Sequence, residues 1–177
     1  MFDLCQGGQK AAPLPTTFPM DQYQFRQLCG RFATGVTIVT IVDADGLPAG
    51  MTANSFASVS LNPALISVAV DRAASLHDAL VAGRLFTVNI LEAHQEALSR
   101  RFAAGLPDRF DGIGWHPGPD GGVTLEGTLA HLRCEVTAAI PAGDHTLVIA
   151  QVTGGGCAEH GRPLLYYRGG YADPDVF

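Results

Sequence analysis

The sequence has little charge and almost no lysine. Its 177 residues contain one lysine, Lys10; charged residues make up 16% of the chain, and the formal net charge is −6. The arginines are scattered along the chain and form no basic stripe. A nucleic-acid surface needs clustered positive charge. The composition therefore argues against a nucleic-acid partner.

Long apolar runs, signal sequences and paired cysteines are also missing. No run approaches the roughly 18 apolar residues of a membrane helix, and Met1 to Pro19 lacks the apolar core of a secretory signal. The four cysteines form no CxxC pair, and Cys157 with His160 is too small a set for a metal site. Free thiols favour a reducing compartment. We predict a cytoplasmic protein with no membrane association and no bound metal.

The composition also bears on domain number and assembly. A chain of this length fits one domain, and the change in composition near residue 20 predicts a flexible extension (1–20) before a folded domain (21–177). Hydrophobic residues make up 47% of the chain. Because charged residues are few, the folded domain has less polar surface than usual. We expect a second subunit to cover part of the apolar surface, as in a homodimer.

Periodicity predicts a mainly β protein. β-Branched or alternating segments indicate strands at 36–42, 50–56, 65–70, 86–91, 129–139, 146–152 and 163–167. Apolar residues at helical spacing indicate helices at 21–33, 75–81 and 92–102, the second capped by Ser75. Residues 130–138 alternate most regularly between apolar and polar. Most strands follow one another without a helix between them, which favours an antiparallel β-barrel with peripheral helices.

Small polar residues fill the segment 50–60, where a strand would ordinarily carry large apolar side chains. One interpretation is an edge strand whose polar side chains face the solvent. The other is a flavin site, because hydroxyl, amide and guanidinium donors suit the polar edge of a flat ring and a phosphate. Those donors are Thr52, Asn54, Ser55, Ser58, Ser60, Arg72 and Ser75. A helix that begins at Ser75 would add a favourable dipole for phosphate.

Two further features allow more than one interpretation. His145 follows Gly143-Asp144 and is either a turn histidine or a donor beside a cofactor or nicotinamide, with Asp144 fixing its tautomer or stabilising its protonated form. The Gly- and Pro-rich excursion at 103–122 contains Asp108 and Arg109, which are either a surface ion pair or part of a functional loop. Gly112-Ile113-Gly114 opens no helix, which excludes a Rossmann site there.

Nine segments in order give the chain a family resemblance. They are 32–37 (FATGVT), 52–56 (TANSF), 58–63 (SVSLNP), 71–72 (DR), 86–91 (FTVNIL), 102–105 (FAAG), 108–110 (DRF) with Trp115, 143–145 (GDH), and 163–171 (PLLYYRGGY). With them the sequence resembles the flavin reductase-like family over residues 21–171. That family includes the small NAD(P)H:flavin oxidoreductases of two-component monooxygenases.

The resemblance implies a split β-barrel homodimer with flavin bound near the subunit interface. The flavin ring and ribityl chain are expected to contact Thr52, Ala53, Asn54, Ser55, Phe56, Ser58, Val59 and Ser60. The phosphate and its surroundings are expected to involve Asp71, Arg72, Ser75, Phe102 and Ala103, and the matching Asp108 and Arg109 are assigned to the cofactor site as well. His145, as the catalytic residue, is expected on the nicotinamide side with Tyr167 and Tyr171.

The resemblance further implies a reaction. NAD(P)H would reduce FMN or FAD by hydride transfer from nicotinamide C4 to flavin N5, and reduced flavin would diffuse to a partner monooxygenase. His145 would position the nicotinamide and would not be an obligatory base. Few arginines lie near the expected nicotinamide side, which favours NADH, although Arg168 leaves NADPH open. The alternative is a flavin-binding electron carrier or store without reductase turnover.

Overall fold

A computed structural model describes residues 20–82, 85–118 and 122–172. The predicted extension (1–20) lies outside the described residues except for Met20. The strands are β1 (Thr34–Gly35), β2 (Thr37–Val42), β3 (Pro48–Ala53), β4 (Ala57–Leu61), β5 (Ala64–Asp71), β6 (Leu85–Ile90), β7 (Trp115–Pro117), β8 (Val123–Leu125), β9 (Ala130–Ala142), β10 (His145–Cys157), β11 (Leu165–Tyr167) and β12 (Gly170–Ala172). The helices are α1 (Gln22–Cys29), α2 (His77–Val81) and α3 (Glu96–Ala103), the last preceded by a 3₁₀ turn (Ala93–Gln95).

One large antiparallel sheet organises the molecule and confirms the mainly β prediction. Its seven strands run in the order β3-β2-β6-β9-β10-β5-β4, while β1, β11 and β12 form a three-stranded sheet and β7 pairs with β8. The large sheet is open, with β3 and β4 at its two edges. Only Asn54, Ser55 and Phe56 separate these edge strands in the chain.

The centre of the large sheet is buried on both faces. β2 reads Thr-Ile-Val-Thr-Ile-Val, and its first five residues are buried, as are four residues of β6. A strand covered on both sides carries a continuous run of β-branched residues. One core cluster lies under α2 around Val39, Val68 and Phe86, and a second lies under α3 around Ile38 and Phe102.

A buried polar network fixes β8 to the central strands. The Asn89 side-chain nitrogen donates to the Ile38 carbonyl at 3.1 Å and to Thr40 Oγ1 at 2.9 Å. The Asn89 side-chain oxygen accepts from the Leu125 amide at 2.9 Å, and Thr40 Oγ1 donates to the Val123 carbonyl. Asn89 and Thr40 have no exposed surface, so these bonds replace the water that both side chains lose on folding.

The alternation predicted for residues 130–138 fails in its second half. Cys134 is buried and Glu135 exposed as expected, but Ala138 is exposed. The pairing with β10 shifts by one residue between Ala150↔Val136 and Ile149↔Ala138, which makes Thr137 the extra residue of a bulge. A bulge moves every following side chain to the opposite face, so a regular sequence pattern became an irregular burial pattern.

Helix α1 is shorter than predicted and buries none of its side chains. Asp21 caps it by accepting from the Gln24 amide at 2.7 Å, and Gly30 is its C-cap. The predicted helix at 21–33 was therefore wrong beyond Cys29. Tyr23 and Leu28 remain 72% and 61% exposed, which leaves apolar surface on α1 in the isolated chain.

The start of helix α2 shows that the prediction of Ser75 as its N-cap was wrong. The helix begins at His77, its N-cap position is occupied by Leu76, and no side chain caps it. Ser75 is exposed and lies before the cap. Because α2 has only five residues, the helix-dipole argument for a phosphate site at Ser75 does not hold.

The Gly- and Pro-rich excursion is held against the body of the protein. Phe110 packs edge-on against Phe102 with ring centroids 4.9 Å apart, and Trp115 packs against Phe110 at 6.4 Å. Arg109 donates to the backbone carbonyls of Gly50 and Leu106. The described part of this excursion therefore packs against α3 and β3.

The remaining sequence predictions concern membranes, metals and thiols. Among the described helices, none combines the length and apolar character that a membrane crossing needs. The described residues contain no cluster of three or more potential metal ligands. Cys29, Cys134 and Cys157 are free thiols, and burial raises the pKa of Cys134 to about 12, which makes that thiol a poor nucleophile.

Candidate functional site

Two adjoining cavities form a groove beside the end of β3. The smaller cavity, of about 220 Å³, lies between the end of β3, the last residue of α3 and the tyrosines Tyr166 and Tyr171. The larger cavity, of about 480 Å³, lies between the end of α1, β1 and the turn after β11. Asn54 and Tyr166 line both cavities. The larger volume is within the range of small-molecule sites, roughly 300 to 1,000 Å³, and the smaller cavity extends that space.

Three residues of the segment 50–60, which was predicted to bind flavin, line the smaller cavity. Thr52 and Ala53 end β3, and Asn54 follows them. Thr52 Oγ1 donates to the Ser99 carbonyl at 2.7 Å, and Thr37 Oγ1 donates to the Ala53 carbonyl at 2.7 Å. These bonds fix the strand end, whereas the Asn54 side chain is exposed. Its amide can offer a donor and an acceptor to the polar edge of a ring.

Tyr171 is fixed on the opposite wall of the smaller cavity. Its hydroxyl lies 2.8 Å from Ser99 Oγ, and Ser99 is fully buried. The Arg100 guanidinium lies 4.6 Å from the centre of the Tyr171 ring, and Tyr166 packs edge-on against that ring at 5.4 Å. The result is a rigid aromatic wall with a positive charge at its rim.

The second part of the flavin segment follows the opposite edge of the sheet. Ser55 Oγ donates to the Ala69 carbonyl at 2.9 Å and accepts from the Ala69 amide at 3.1 Å. Its hydroxyl is therefore engaged with β5, and Phe56 packs against the first core cluster. On β4, Ser58 and Val59 are exposed and Ser60 is half-buried. The turn 54–56 thus joins the groove to β4 and β5.

A polar cluster at the ends of β5 and β10 contains the predicted catalytic histidine. His145 is paired with Asp71 across the two strands, and the Arg72 amide donates to the Asp144 carbonyl at 3.1 Å. His145 Nδ1 lies 2.7 Å from Asp144 Oδ1. This hydrogen bond and the charge of the ring lower the pKa of the Asp144 carboxyl. Because Asp71 lies two residues beyond Ala69, the cluster is about 7 Å along β5 from the Ser55 contact.

Some predicted site residues lie elsewhere. Phe102 is 1% exposed and belongs to the core, so its side chain has no surface for a ligand, although the next residue, Ala103, lines the smaller cavity. Arg109 holds backbone carbonyls, and the Asp108 carbonyl accepts from Arg101. Neither lines the groove, and the same holds for Ser75 and Tyr167.

Several groove residues were not predicted. Tyr166 forms the boundary between the cavities, Ser99 fixes Tyr171, and Arg26 and Thr34 line the larger cavity. Thr34 belongs to the matching segment FATGVT, and Tyr166 to PLLYYRGGY, so their place in those segments was an available signal. Nothing in the local sequence marks Arg26, because a helix brings it to the groove.

Comparison with known proteins places this groove in a family context. The family model described as flavin reductase like domain matches residues 29–175. A flavin reductase (NADH) of Kitasatospora aureofaciens is 41% identical over 170 residues, which are 90% of this chain and 89% of the relative. The reductase subunit HsaB of a flavin-dependent monooxygenase of Rhodococcus jostii (strain RHA1) is 37% identical over 158 residues, 88% of this chain and 80% of the relative.

Solved structures of flavin reductases are also similar to this chain. The Streptomyces globisporus C-1027 NADH:FAD oxidoreductase SgcE6, in complex with NAD and FAD fragments, superimposes with a TM-score of 0.83 and 36% identity. The match covers 93% of this chain and all of that chain, 100%. The flavin reductase PheA2 in its native state matches with a TM-score of 0.79 and 38% identity over 86% of this chain and 97% of that chain.

Proposed function

Because this chain belongs to the flavin reductase-like domain family, we propose that it is an NADH:flavin oxidoreductase whose reduced flavin serves a partner monooxygenase. The match of the family model to residues 29–175 carries this conclusion. The relatives that are named as NADH-dependent flavin reductases support NADH as the electron donor. The relative that is named as a reductase subunit of a flavin-dependent monooxygenase supports a monooxygenase as the partner. FAD and FMN are both candidate acceptors, and FAD is favoured by the similarity to the NADH:FAD oxidoreductase SgcE6 of Streptomyces globisporus.

The smaller cavity fits one face and one edge of a flavin ring. Val36, Ala53 and Ala103 offer small apolar surface, and Tyr166 and Tyr171 offer flat aromatic surface. The exposed amide of Asn54 can pair with the donor and acceptor groups at the ring edge. We assign Thr52, Ala53, Asn54 and Ala103 to the flavin ring and the exposed Ser58 and Ser60 on β4 to its side chain.

The protein's part in the reaction is to hold two rings together in a fixed orientation. A flavin held in this cavity would supply the acceptor for a hydride from a nicotinamide stacked on it. The Thr52 side chain donates to the Ser99 carbonyl, and the Ala53 carbonyl accepts from the buried Thr37 hydroxyl. Ser99 also fixes the Tyr171 hydroxyl. Such pre-arranged walls reduce the entropy lost when two reactants are aligned.

His145 is assigned to the nicotinamide side as a hydrogen-bonding residue that orients the dinucleotide. Asp144 accepts from Nδ1–H of its ring, so Nε2 accepts a hydrogen bond from a ligand when the ring is neutral and donates one when the ring is protonated. The Asp144 carboxyl is ionised at neutral pH, and because its folded-state pKa is lowered, it stays ionised to a lower pH than an ordinary aspartate. The contact is lost only as the pH falls through that lowered pKa.

Replacing His145 by alanine is expected to raise the KM for NADH by about three- to tenfold, the loss of one hydrogen bond. Binding of flavin to the variant, measured by fluorescence titration, is expected to stay close to that of the wild type. His160→Ala is the control, because His160 is an exposed histidine that lies beyond the end of β10, whereas His145 is half-buried at its start. An unchanged KM for NADH in the His145 variant would remove this residue from the site.

We further propose a homodimer with the split-barrel architecture. Helix α1 exposes Tyr23 and Leu28, and the β4–β5 hairpin exposes Val59 and Leu61, which is 97% exposed. Exposed apolar groups of this size are typical of an interface. The short link between β3 and β4 keeps the open edges of the sheet close, which supports a barrel. Sedimentation at micromolar concentration tests the dimer, and a monomer mass would refute it.

The proposed location is the cytoplasm, which agrees with the free thiols of Cys29, Cys134 and Cys157. Fractionation of cells that express the protein tests this location, and recovery outside the cytoplasm would refute it.

The reductase is tested by NADH oxidation, followed by absorbance, with FAD, FMN or no flavin added. Many turnovers that saturate with added flavin are expected. A flavin-binding carrier would instead oxidise at most one equivalent of NADH per bound flavin. Coupled assays with a flavin-dependent monooxygenase then test the delivery of reduced flavin.

A further inference from the structure

Arg109 belongs to the segment DRF, which the sequence analysis assigned to the cofactor site. In the structure it lines neither cavity of the groove. Its Nε donates to the Leu106 carbonyl at 2.8 Å, and its Nη1 donates to the Gly50 carbonyl on β3. A planar guanidinium can hold two acceptors in a fixed geometry. Arg109 therefore ties the loop 104–111, which follows α3, to the edge of the large sheet.

The Gly50 carbonyl lies on the open side of β3. This strand pairs with β2 on one side and forms an edge of the large sheet. In an antiparallel pair, every second residue of an edge strand directs its amide and carbonyl away from the partner strand. Pro48 has no amide hydrogen to give to β2, which fits this outward series, and Gly50 and Thr52 follow it at intervals of two. Arg109 thus binds the open edge about 7 Å from Thr52, which lines the smaller cavity.

Gly50 is also held by the ring of Phe102. A Cβ added to Gly50 would lie 2.8 Å from that ring, so a larger residue does not fit there unless the ring moves. The Phe102 ring packs in turn against Phe110, with ring centroids 4.9 Å apart, and Phe110 directly follows Arg109. The guanidinium and the two rings therefore hold one residue of β3, two positions before Thr52.

A second arginine holds the same loop in a different way. Arg101, on α3, donates to the Asp108 carbonyl and, at 2.8 Å, to the Asp111 carbonyl. Among the hydrogen bonds of the described residues, none joins the Arg101 side chain to β3. Loss of Arg101 would therefore loosen the loop without removing a contact to β3, whereas loss of Arg109 would do both. The two arginines allow these effects to be separated.

We propose that Arg109 is a positioning residue for the flavin. By fixing Gly50 it holds the outward edge of β3 in the form that the flavin ring requires, and it does so without touching the ligand. The proposal rests on the proposed function, because it assumes that the smaller cavity holds the ring. It differs from the cofactor contact expected from the sequence, in which the guanidinium would bind the cofactor directly, as arginines commonly bind phosphate.

The test compares the affinities of riboflavin, FMN and FAD by fluorescence titration of the full-length protein without NADH. The three ligands share the flavin ring, and riboflavin has no phosphate. Arg109→Gln is expected to weaken the binding of all three by the same factor, about three- to tenfold, because part of the binding free energy must then order the strand. A loss confined to FMN and FAD would show a contact with the phosphate and would overturn the proposal, as would an unchanged affinity for all three.

Arg101→Gln is the matched control. It removes hydrogen bonds to the same loop and is expected to keep the wild-type affinity for all three ligands. An equal loss in both variants would show a general loosening of the loop and would also overturn the positioning role. Urea denaturation checks that each variant is folded. If Arg109→Gln does not fold, Arg109→Lys takes its place, because one ammonium group cannot reproduce a forked contact, and a uniform loss of about two- to threefold is then expected.

The titrations separate this proposal from the reductase activity. If Arg109→Gln weakens the binding of all three ligands equally but the wild type oxidises no NADH, the reductase is refuted and the positioning role stands. If the wild type reduces flavin with NADH but Arg109→Gln binds the three ligands as tightly as the wild type does, the positioning role alone is refuted.

Discussion

Replacement of Ala103 by tryptophan is expected to raise the KM for flavin by about 10- to 100-fold, the effect of forcing extra volume into a packed contact. Ala103 is the last residue of α3, is exposed, and lines the smaller cavity of about 220 Å³. An indole at this position would occupy the space assigned to the flavin ring. NADH oxidation at varied FMN and FAD concentrations measures the change.

A tryptophan substitution at another position of the same helix provides the control. Ala97 is exposed on α3 and does not line the groove, so Ala97→Trp adds the same side chain without filling the cavity. Its KM for flavin is expected to equal that of the wild type. Circular dichroism checks that both variants are folded. An Ala103→Trp protein with the wild-type KM would show that the ring binds outside the smaller cavity.

Replacement of Phe102 by alanine is expected to lower the free energy of unfolding by about 3 to 5 kcal/mol. The Phe102 ring is 1% exposed and packs edge-on against Phe110 at 4.9 Å. Its edge also lies over Gly50, where an added Cβ would come within 2.8 Å of the ring. Removing the ring leaves a void between α3 and β3. Urea denaturation followed by fluorescence measures the loss.

Phe102→Leu separates the core role from the cofactor role given by the sequence. Leucine keeps much of the apolar volume, so we expect a smaller loss of stability and a KM for flavin close to the wild-type value. A large rise in KM with unchanged stability would instead place Phe102 in contact with the ligand and contradict its assignment to the core.

Phe102 and Ala103 show what the sequence could and could not predict. The segment FAAG predicted that this end of α3 belongs to the cofactor site, and Ala103 lines the smaller cavity. Its neighbour was assigned to the same role but is buried, because adjacent residues on a helix point about 100° apart. Which of the two faces the ligand depends on how α3 lies on β3, and a local motif does not contain that information.

The same limit applies to strands and helix ends. β-Branched runs and turn residues predicted the main strands and the mainly β class, because those signals act over a few residues. The bulge at Thr137 depends on pairing with β10, and the start of α2 at His77 depends on the turn before it. Ser75 was a plausible cap by residue type alone, but the chain turns before the helix begins.

The bonds that join Asn89, Thr40 and the 123–125 strand also constrain how this sequence can diverge over evolutionary time. One of these bonds joins the two side chains, and the others satisfy the Val123 carbonyl and the Leu125 amide. An apolar residue at position 40 or 89 therefore takes a partner from a buried backbone group, at about 1 to 3 kcal/mol. A typical domain has only about 5 to 15 kcal/mol of stability in total. Apolar replacement of both positions 40 and 89 would still leave the Val123 carbonyl and the Leu125 amide without these partners, so such replacements are expected to be accepted only after a stabilising substitution elsewhere.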